Sequence, residues 1–384
     1  MSEVIMRKVL RSEWPGAFDQ NRKRGIKMKM RGLILFLILS AMGLAAVSDG
    51  RAEGELRSRI LSRIRDRQAS NTAAGPAVSG ALQRIGYQQV ATGKGLKIAV
   101  WYPTDAREEA FAYGTRGTES VLAPEAPVKE GGRYPLIVFS HGFHGCGVQS
   151  VFLTETLARA GYVVAAPDHQ DASCGKNGEG SFGEFKPQEK FGKPGQWSES
   201  TYADRGDDIK DVIDEMTRSA FFGPAIDAKK IGLAGHSLGG YTVLGVSGAW
   251  AGWKDGRVKA VLAMSPGGHP FLLDGRIKGV DIPVMYQGAD RDIFLTPMVG
   301  KEGGLYELSN SPKYFLQLKR VSHFAWSNLS CGRVKEVSRC IQRKDHLRLI
   351  NDYAMAFFGR YLKGEAASFL ERGNERLTDY RWSK

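Results

Sequence analysis

A chain of 384 residues, 42% apolar and 25% charged, is long enough to bury one large core or two small ones, which excludes a disordered chain and a small disulfide-stapled scaffold. The net charge of +13 invites a nucleic-acid reading, but residues 1–70 hold fifteen Lys and Arg against seven Asp and Glu, and the rest carries only a mild excess. No focused basic stripe remains for the bulk of the chain, so no nucleic-acid partner is expected.

The N-terminal segment has the pattern of an export signal. Lys23, Arg24, Lys27, Lys29 and Arg31 precede an apolar run from Leu33 to Val47, followed by small residues with Ala46 and Ala52 as cleavage points. The run is about fifteen residues, short of the ~20 that a spanning helix prefers. Residues 1–52 are read as a signal peptide, with Met28 or Met30 as alternative starts, and a periplasmic or secreted location follows. Residues 53–80 are a basic segment and linker. Glu55 to Arg65 is amphipathic and reads as a solvated tether or as a weak contact with an anionic membrane surface. Residues 81–384 form the main domain.

Strand-like and helix-like runs alternate through that domain. Tyr87 to Val100 supplies an antiparallel pair. Tyr134 to Ser140 is continuously apolar and β-branched, the signature of a buried strand. Leu157 to Gly161 ends a helix, and Tyr162 to Ala166 is the next buried strand. Residues 171–200 form a long insertion carrying Phe182, Phe185, Phe191 and Trp197, read either as a cap over a site or as a surface loop. Asp207 to Thr217 is an amphipathic helix. Lys344 to Leu362 is another, with Leu347, Ile350, Tyr353, Ala354, Phe357 and Tyr361 on one face. The alternation predicts an α/β fold with a mainly parallel, doubly wound sheet and helices on both faces.

The most informative segment runs from Lys229 to Gly240. An apolar run ends in Gly235-His236-Ser237-Leu238-Gly239-Gly240, the form of a nucleophile elbow, in which a sharp strand-to-helix turn lifts one serine clear of the sheet. Such a serine needs a base, an orienting acid and oxyanion donors. After the buried strand at 134–140, His141-Gly142-Phe143 offers the Phe143 amide as one donor, and the Leu238 amide is the other. The acid should end a later strand. Asp281 to Gln287 is strand-like, and both Asp290 and Asp292 follow. Asp292 is favoured because Ile293, Phe294 and Leu295 can shield it, whereas Asp290 reads as a solvated turn residue. Of the seven histidines, only His323 lies in the loop directly after the last strand, Lys313 to Leu318. His141 is read as structural, His236 as pointing away from the nucleophile, His144, His169 and His269 as weak substrate contacts, and His346 as a packing or surface residue. No His/Cys cluster has metal-ligand spacing, and neither metal nor cofactor is expected.

These motifs resemble an α/β-hydrolase of the dienelactone-hydrolase-like, platelet-activating-factor-acetylhydrolase-like group of bacterial esterases. The resemblance rests on Ala99 to Thr104, Phe139 to Phe143, Ala166 to His169, Gly235 to Gly240, Met285 to Gly288 with Arg291-Asp292, and Ser322 to Trp326. It implies a serine esterase. Two departures stand out. Dienelactone hydrolases use a cysteine nucleophile, where this chain has Ser237. The animal platelet-activating-factor enzymes place their acid after the strand that follows the elbow, where this chain reads Met264-Ser265-Pro266; the acid is then expected one strand later, at Asp292.

The expected activity is Ser-His-Asp hydrolysis of small-molecule carboxylic esters, with a peptidase or amidase, or a non-catalytic binding protein, as the competing readings. No oligomeric state can be read. In an oxidising compartment, Cys331–Cys340 and Cys146–Cys174 are the expected disulfides.

Overall fold

The computed structural model describes residues 82–114, 117–173 and 191–384. The signal peptide, the basic segment and the linker expected before the main domain all lie outside the described residues, as does most of the 171–200 insertion.

Eleven strands carry the architecture: β1 (Arg84–Ala91), β2 (Lys97–Thr104), β3 (Glu109–Ala112), β4 (Glu119–Pro124), β5 (Tyr134–Ser140), β6 (Val163–Pro167), β7 (Ile226–His236), β8 (Val258–Met264), β9 (Val284–Ala289), β10 (Lys313–Leu318) and β11 (Leu377–Ser383). They form one sheet in the order β11-β10-β9-β8-β7-β5-β6-β2-β1-β4-β3. From β6 through β10 every neighbouring pair is parallel. β2 joins β6 antiparallel, and β1 joins β2 antiparallel as an eight-residue ladder.

The helices that matter most for the site are α1 (Val151–Arg159), α2 (Ala203–Arg218), α3 (Leu238–Leu244), α4 (Val337–Arg343) and α5 (Asp345–Phe358). The two-residue strand period sorts the core into two layers. Ile137 and Phe139 of β5 pack with α1 and α5 on one face. Leu136 and Val138 pack with α2 and α3 on the other. Both faces are covered, which is why β5 and β6 read as unbroken apolar runs. This is the doubly wound α/β fold expected from the sequence. The predicted C-terminal helix is shorter than its apolar pattern: α5 ends at Phe358, and a π-type turn carries the chain over Gly359–Lys363.

The Cys331–Cys340 disulfide is formed. Cys146 is also disulfide-bonded, and its expected partner, Cys174, lies outside the described residues. Among the described residues, no helix is long and apolar enough to cross a membrane.

One buried acid on α1 faces the antiparallel end of the sheet. Glu155 accepts hydrogen bonds from Tyr113 (2.6 Å) and Ser120 (2.7 Å) and is 4% exposed. Burial pushes its carboxyl up to about 7 despite those donors. The folded protein therefore holds more protons than the unfolded chain between the ordinary glutamate value and about 7, so stability falls as pH rises through that window. Glu155→Gln should flatten this slope, seen in denaturant midpoints measured from pH 4.5 to pH 8. An unchanged slope would show that Glu155 is ionised in the native state throughout.

Candidate active site

The six parallel strands all point the same way, so their C-terminal ends deliver six loops to one edge of the sheet. The elbow follows β7. Ser237 has φ 58° and ψ −115°, a backbone conformation that non-glycine residues rarely adopt. It is held there from both sides. Its amide donates to the Met264 carbonyl (3.0 Å), and its carbonyl accepts from Tyr241 (3.1 Å) and Gly267 (3.0 Å). The turn is possible because α3 runs against the strands with no side chain between them. A Cβ on Gly235 would strike the Gly239 carbonyl, and one on Gly239 would strike the Ser140 carbonyl.

The loops after β9 and β10 bring two more groups to Ser237. His323 Nε2 lies 3.0 Å from Ser237 Oγ. His323 Nδ1 lies 2.7 Å from Asp292 Oδ2. The Asp292 side chain is 3% exposed. Burial would raise its carboxyl, but the hydrogen bond and charge of His323, with the Ser265 hydroxyl and Leu295 amide, hold it below the ordinary aspartate value. Those partners favour the tautomer in which His323 donates from Nδ1 and accepts from the serine at Nε2.

Asp290, read as a solvated turn residue, is half-buried. Its Oδ2 accepts the Arg320 amide (2.8 Å), and the Arg291 amide donates to the Val321 carbonyl (3.1 Å), so the acid and histidine loops are stapled together.

The turn after β5 is fixed through the Gly142–Phe143 peptide. The Gly142 carbonyl accepts from His141 Nδ1 (2.7 Å) and from the Gly145 amide (2.8 Å). In a trans peptide the Phe143 N–H points opposite to that carbonyl, so the bonds that hold one aim the other. The Leu238 amide opens α3, where the first N–H groups have no partner within the helix. The Phe143 ring stacks on Phe191 (3.9 Å), and Trp197 packs on Tyr241 (5.0 Å), so the described end of the insertion lies against the turn after β5 and against α3.

Three residues at the site carried no recognisable signal in the sequence. Ser265, φ 43°, donates to Asp292 Oδ2 and lies 3.1 Å from His323 Nδ1. Arg205 of α2, 1% exposed, pairs with Asp171 (2.5 Å), bonds the His141 carbonyl and reaches Thr242 of α3 (3.2 Å). It ties the turn after β5 to α3. Gln149 bridges Gly142 and His236. The only available signal would have been a buried arginine on an otherwise amphipathic helix.

His169 is not a substrate contact: it is 1% exposed and bonds Ser140 (2.9 Å) and Asp208 (2.8 Å). His141 is the buried hydrogen-bonding residue expected. His346 is partly buried, and its Nε2 lies 3.4 Å from Ser330 Oγ. Among the described residues, no cluster of three or more His, Cys, Asp or Glu is arranged to hold a metal.

The fold is that of an α/β-hydrolase. Within that class, residues 93–178 match the family described as platelet-activating factor acetylhydrolase, isoform II. Platelet-activating factor acetylhydrolase of Cavia porcellus is 24% identical over 267 residues, which cover 62% of this chain and 59% of that protein. The Canis lupus familiaris counterpart is 30% identical over 155 residues, 33% of this chain and 35% of that one. The match thus spans less than two thirds of either relative. The solved structure of a ferulic acid esterase from Streptomyces cinnamoneus superposes with a TM-score of 0.61 at 22% identity, over 81% of this chain and 99% of that chain.

The Ser265 hydroxyl donates to a buried carboxylate, so Ser265→Ala should destabilise the fold by about 1–3 kcal/mol. Denaturant unfolding of the variant beside the parent measures this. A value indistinguishable from zero would mean that Asp292 finds another donor.

Proposed function

We propose that the protein is an exported serine hydrolase that cleaves carboxylic esters through an acyl-enzyme on Ser237. The observation that carries this reading is the unbroken chain Ser237 Oγ, His323, Asp292, with separations of 3.0 and 2.7 Å at the mouth of an elbow. The similarity to platelet-activating factor acetylhydrolases supports ester cleavage.

His323 Nε2 takes the Ser237 proton as the hydroxyl oxygen attacks the ester carbonyl carbon. The imidazolium that forms is stabilised by Asp292, which also holds the ring in the productive tautomer. The amides of Phe143 and Leu238 receive the oxyanion, and losing one such donor typically costs about 3–4 kcal/mol of transition-state stabilisation. His323 then gives its proton to the departing alcohol. A water, deprotonated by the same nitrogen, attacks the acyl carbon and frees Ser237. Export is supported by the signal-like N-terminal pattern and by the Cys331–Cys340 disulfide, which suits an oxidising compartment.

The test is a fluorophosphonate probe combined with a panel of p-nitrophenyl esters of graded acyl length and a matching set of aminoacyl anilides. The parent should label once, at Ser237, and cleave esters in preference to anilides. Ser237→Ala should lose labelling, and Asp292→Asn should lower kcat by roughly three to four orders of magnitude. Preferred anilide cleavage would make the protein an amidase. A folded parent that neither labels nor turns over would overturn the enzyme reading.

A further inference from the structure

Three loops must keep a common register for the proposed ester cleavage to proceed: the oxyanion turn, the elbow and the loop carrying His323. One side chain bonds two of them directly and the third through an intermediary. Gln149 Oε1 accepts the Gly142 amide (2.9 Å), and Gln149 Nε2 donates to His236 Nδ1 (3.2 Å). His236 Nε2 in turn donates to the backbone carbonyl of His323 (2.9 Å). The main chain at Gln149 repeats the connection, because its carbonyl accepts the Asn328 amide (2.8 Å) and Asn328 Nδ2 donates to the Val148 carbonyl (2.8 Å).

We propose that Gln149 is a positioning residue that couples the oxyanion donor on Phe143 to His323 through the uncharged bridge Gly142–Gln149–His236–His323. The inference rests on the esterase reading given above.

The chemistry of the bridge selects glutamine. Gly142 presents an N–H and needs an acceptor. His236 is buried, and burial followed by the neighbouring His323 charge pushes its imidazole down to about 3, so it is neutral and its Nδ1 needs a donor. An amide side chain supplies both without charge. Glutamate could serve Gly142 but could not donate to His236, and an apolar residue could serve neither. The surroundings leave little slack, because a Cβ on Gly142 would lie 3.2 Å from His236 Nδ1, 3.3 Å from Ser237 Cβ and 3.4 Å from Gln149 Oε1. The His236 ring lies 4.7 Å from that of His323 and 5.7 Å from Trp326. His236 thus reports movement of the oxyanion turn to the base loop. Gln149 touches none of the reacting atoms.

The experiment uses Gln149→Met, which is near in volume and makes neither bond, and Gln149→Glu, which keeps the bond to Gly142. Active sites are first counted by fluorophosphonate labelling, and kcat and KM are then measured per labelled site on a p-nitrophenyl ester. Gln149→Met should lower kcat roughly 10- to 100-fold with KM little changed, as misplacement of catalytic groups by about an ångström does. Affinity for a trifluoromethyl ketone, which needs both the base and the oxyanion donors, should fall in parallel. In Gln149→Glu the carboxylate faces His236, alongside His323 and Asp292, and His236 should take up a proton at Nδ1. Its kcat should then show an ionisation on the acid side that the parent lacks. Parent-like kcat per labelled site in Gln149→Met, or a loss explained by fewer labelled sites alone, would overturn the proposal. So would a parent-like pH profile in Gln149→Glu. A parent that fails to label at Ser237 would instead overturn the esterase reading, and this inference with it.

Discussion

The structure depends on how closely α3 approaches the strands beneath it. Without side chains at Gly235 and Gly239, the helix backbone rests against the carbonyl edge of β5 and the end of β7. That contact forces Ser237 into its left-handed turn, at a cost of order 1–3 kcal/mol in backbone strain, which hydrogen bonds to Met264, Tyr241 and Gly267 help offset. It also sets the oxyanion turn beside the serine, because that turn leaves β5, the strand next to β7. A larger residue at either glycine would separate helix from sheet and move the serine and both candidate donors together.

Strand order then decides where the candidate orienting acid stands. β8, β9 and β10 are consecutive neighbours, so the residues just past their ends, Ser265, Asp292 and His323, meet in one cluster. Ser265 stands one strand nearer the elbow than Asp292, yet its hydroxyl is within hydrogen-bonding distance of the same imidazole nitrogen. The geometry offers two positions for an acid against His323. In this chain the nearer one holds a neutral donor that bonds to the carboxylate at the farther one. A carboxylate at both positions would place two negative charges against one imidazole, so a serine at 265 keeps the single charge on Asp292.

The parts of the site that are local in sequence were legible in it. The elbow shows because its glycines and serine fall within six residues. The oxyanion turn and the His323 loop show because each directly follows an apolar strand. The preference for Asp292 over Asp290 rested on the apolar residues after it, and Asp290, half-buried, accepts the Arg320 amide. What could not be read depends on partners far apart in the chain. Arg205 lies 64 residues from the carbonyl it bonds, and Gln149 lies 87 from His236. A polar residue on a helix or loop has the same sequence pattern whether it faces water or a buried carbonyl. His169 was misjudged for the same reason, since its partner Asp208 lies 39 residues away on α2.

The histidines around the site show why burial matters there. His141, His169 and His236 are all desolvated, and burial holds each below its ordinary value. In the proposed mechanism, one positive charge develops on His323 as it takes the serine proton. A charged His236, with its ring 4.7 Å away, would oppose that by about 3–4 kcal/mol at an effective dielectric of 20, a rate penalty of more than a hundredfold. A neutral His236 removes the penalty and keeps its N–H for the His323 carbonyl. Burial holds His236 neutral, and the Gln149 amide donates to its Nδ1 without placing an acid there. The same side chain therefore serves geometry and electrostatics together: it joins the loops and offers His236 no acid, so that in the proposed mechanism positive charge develops on His323 alone.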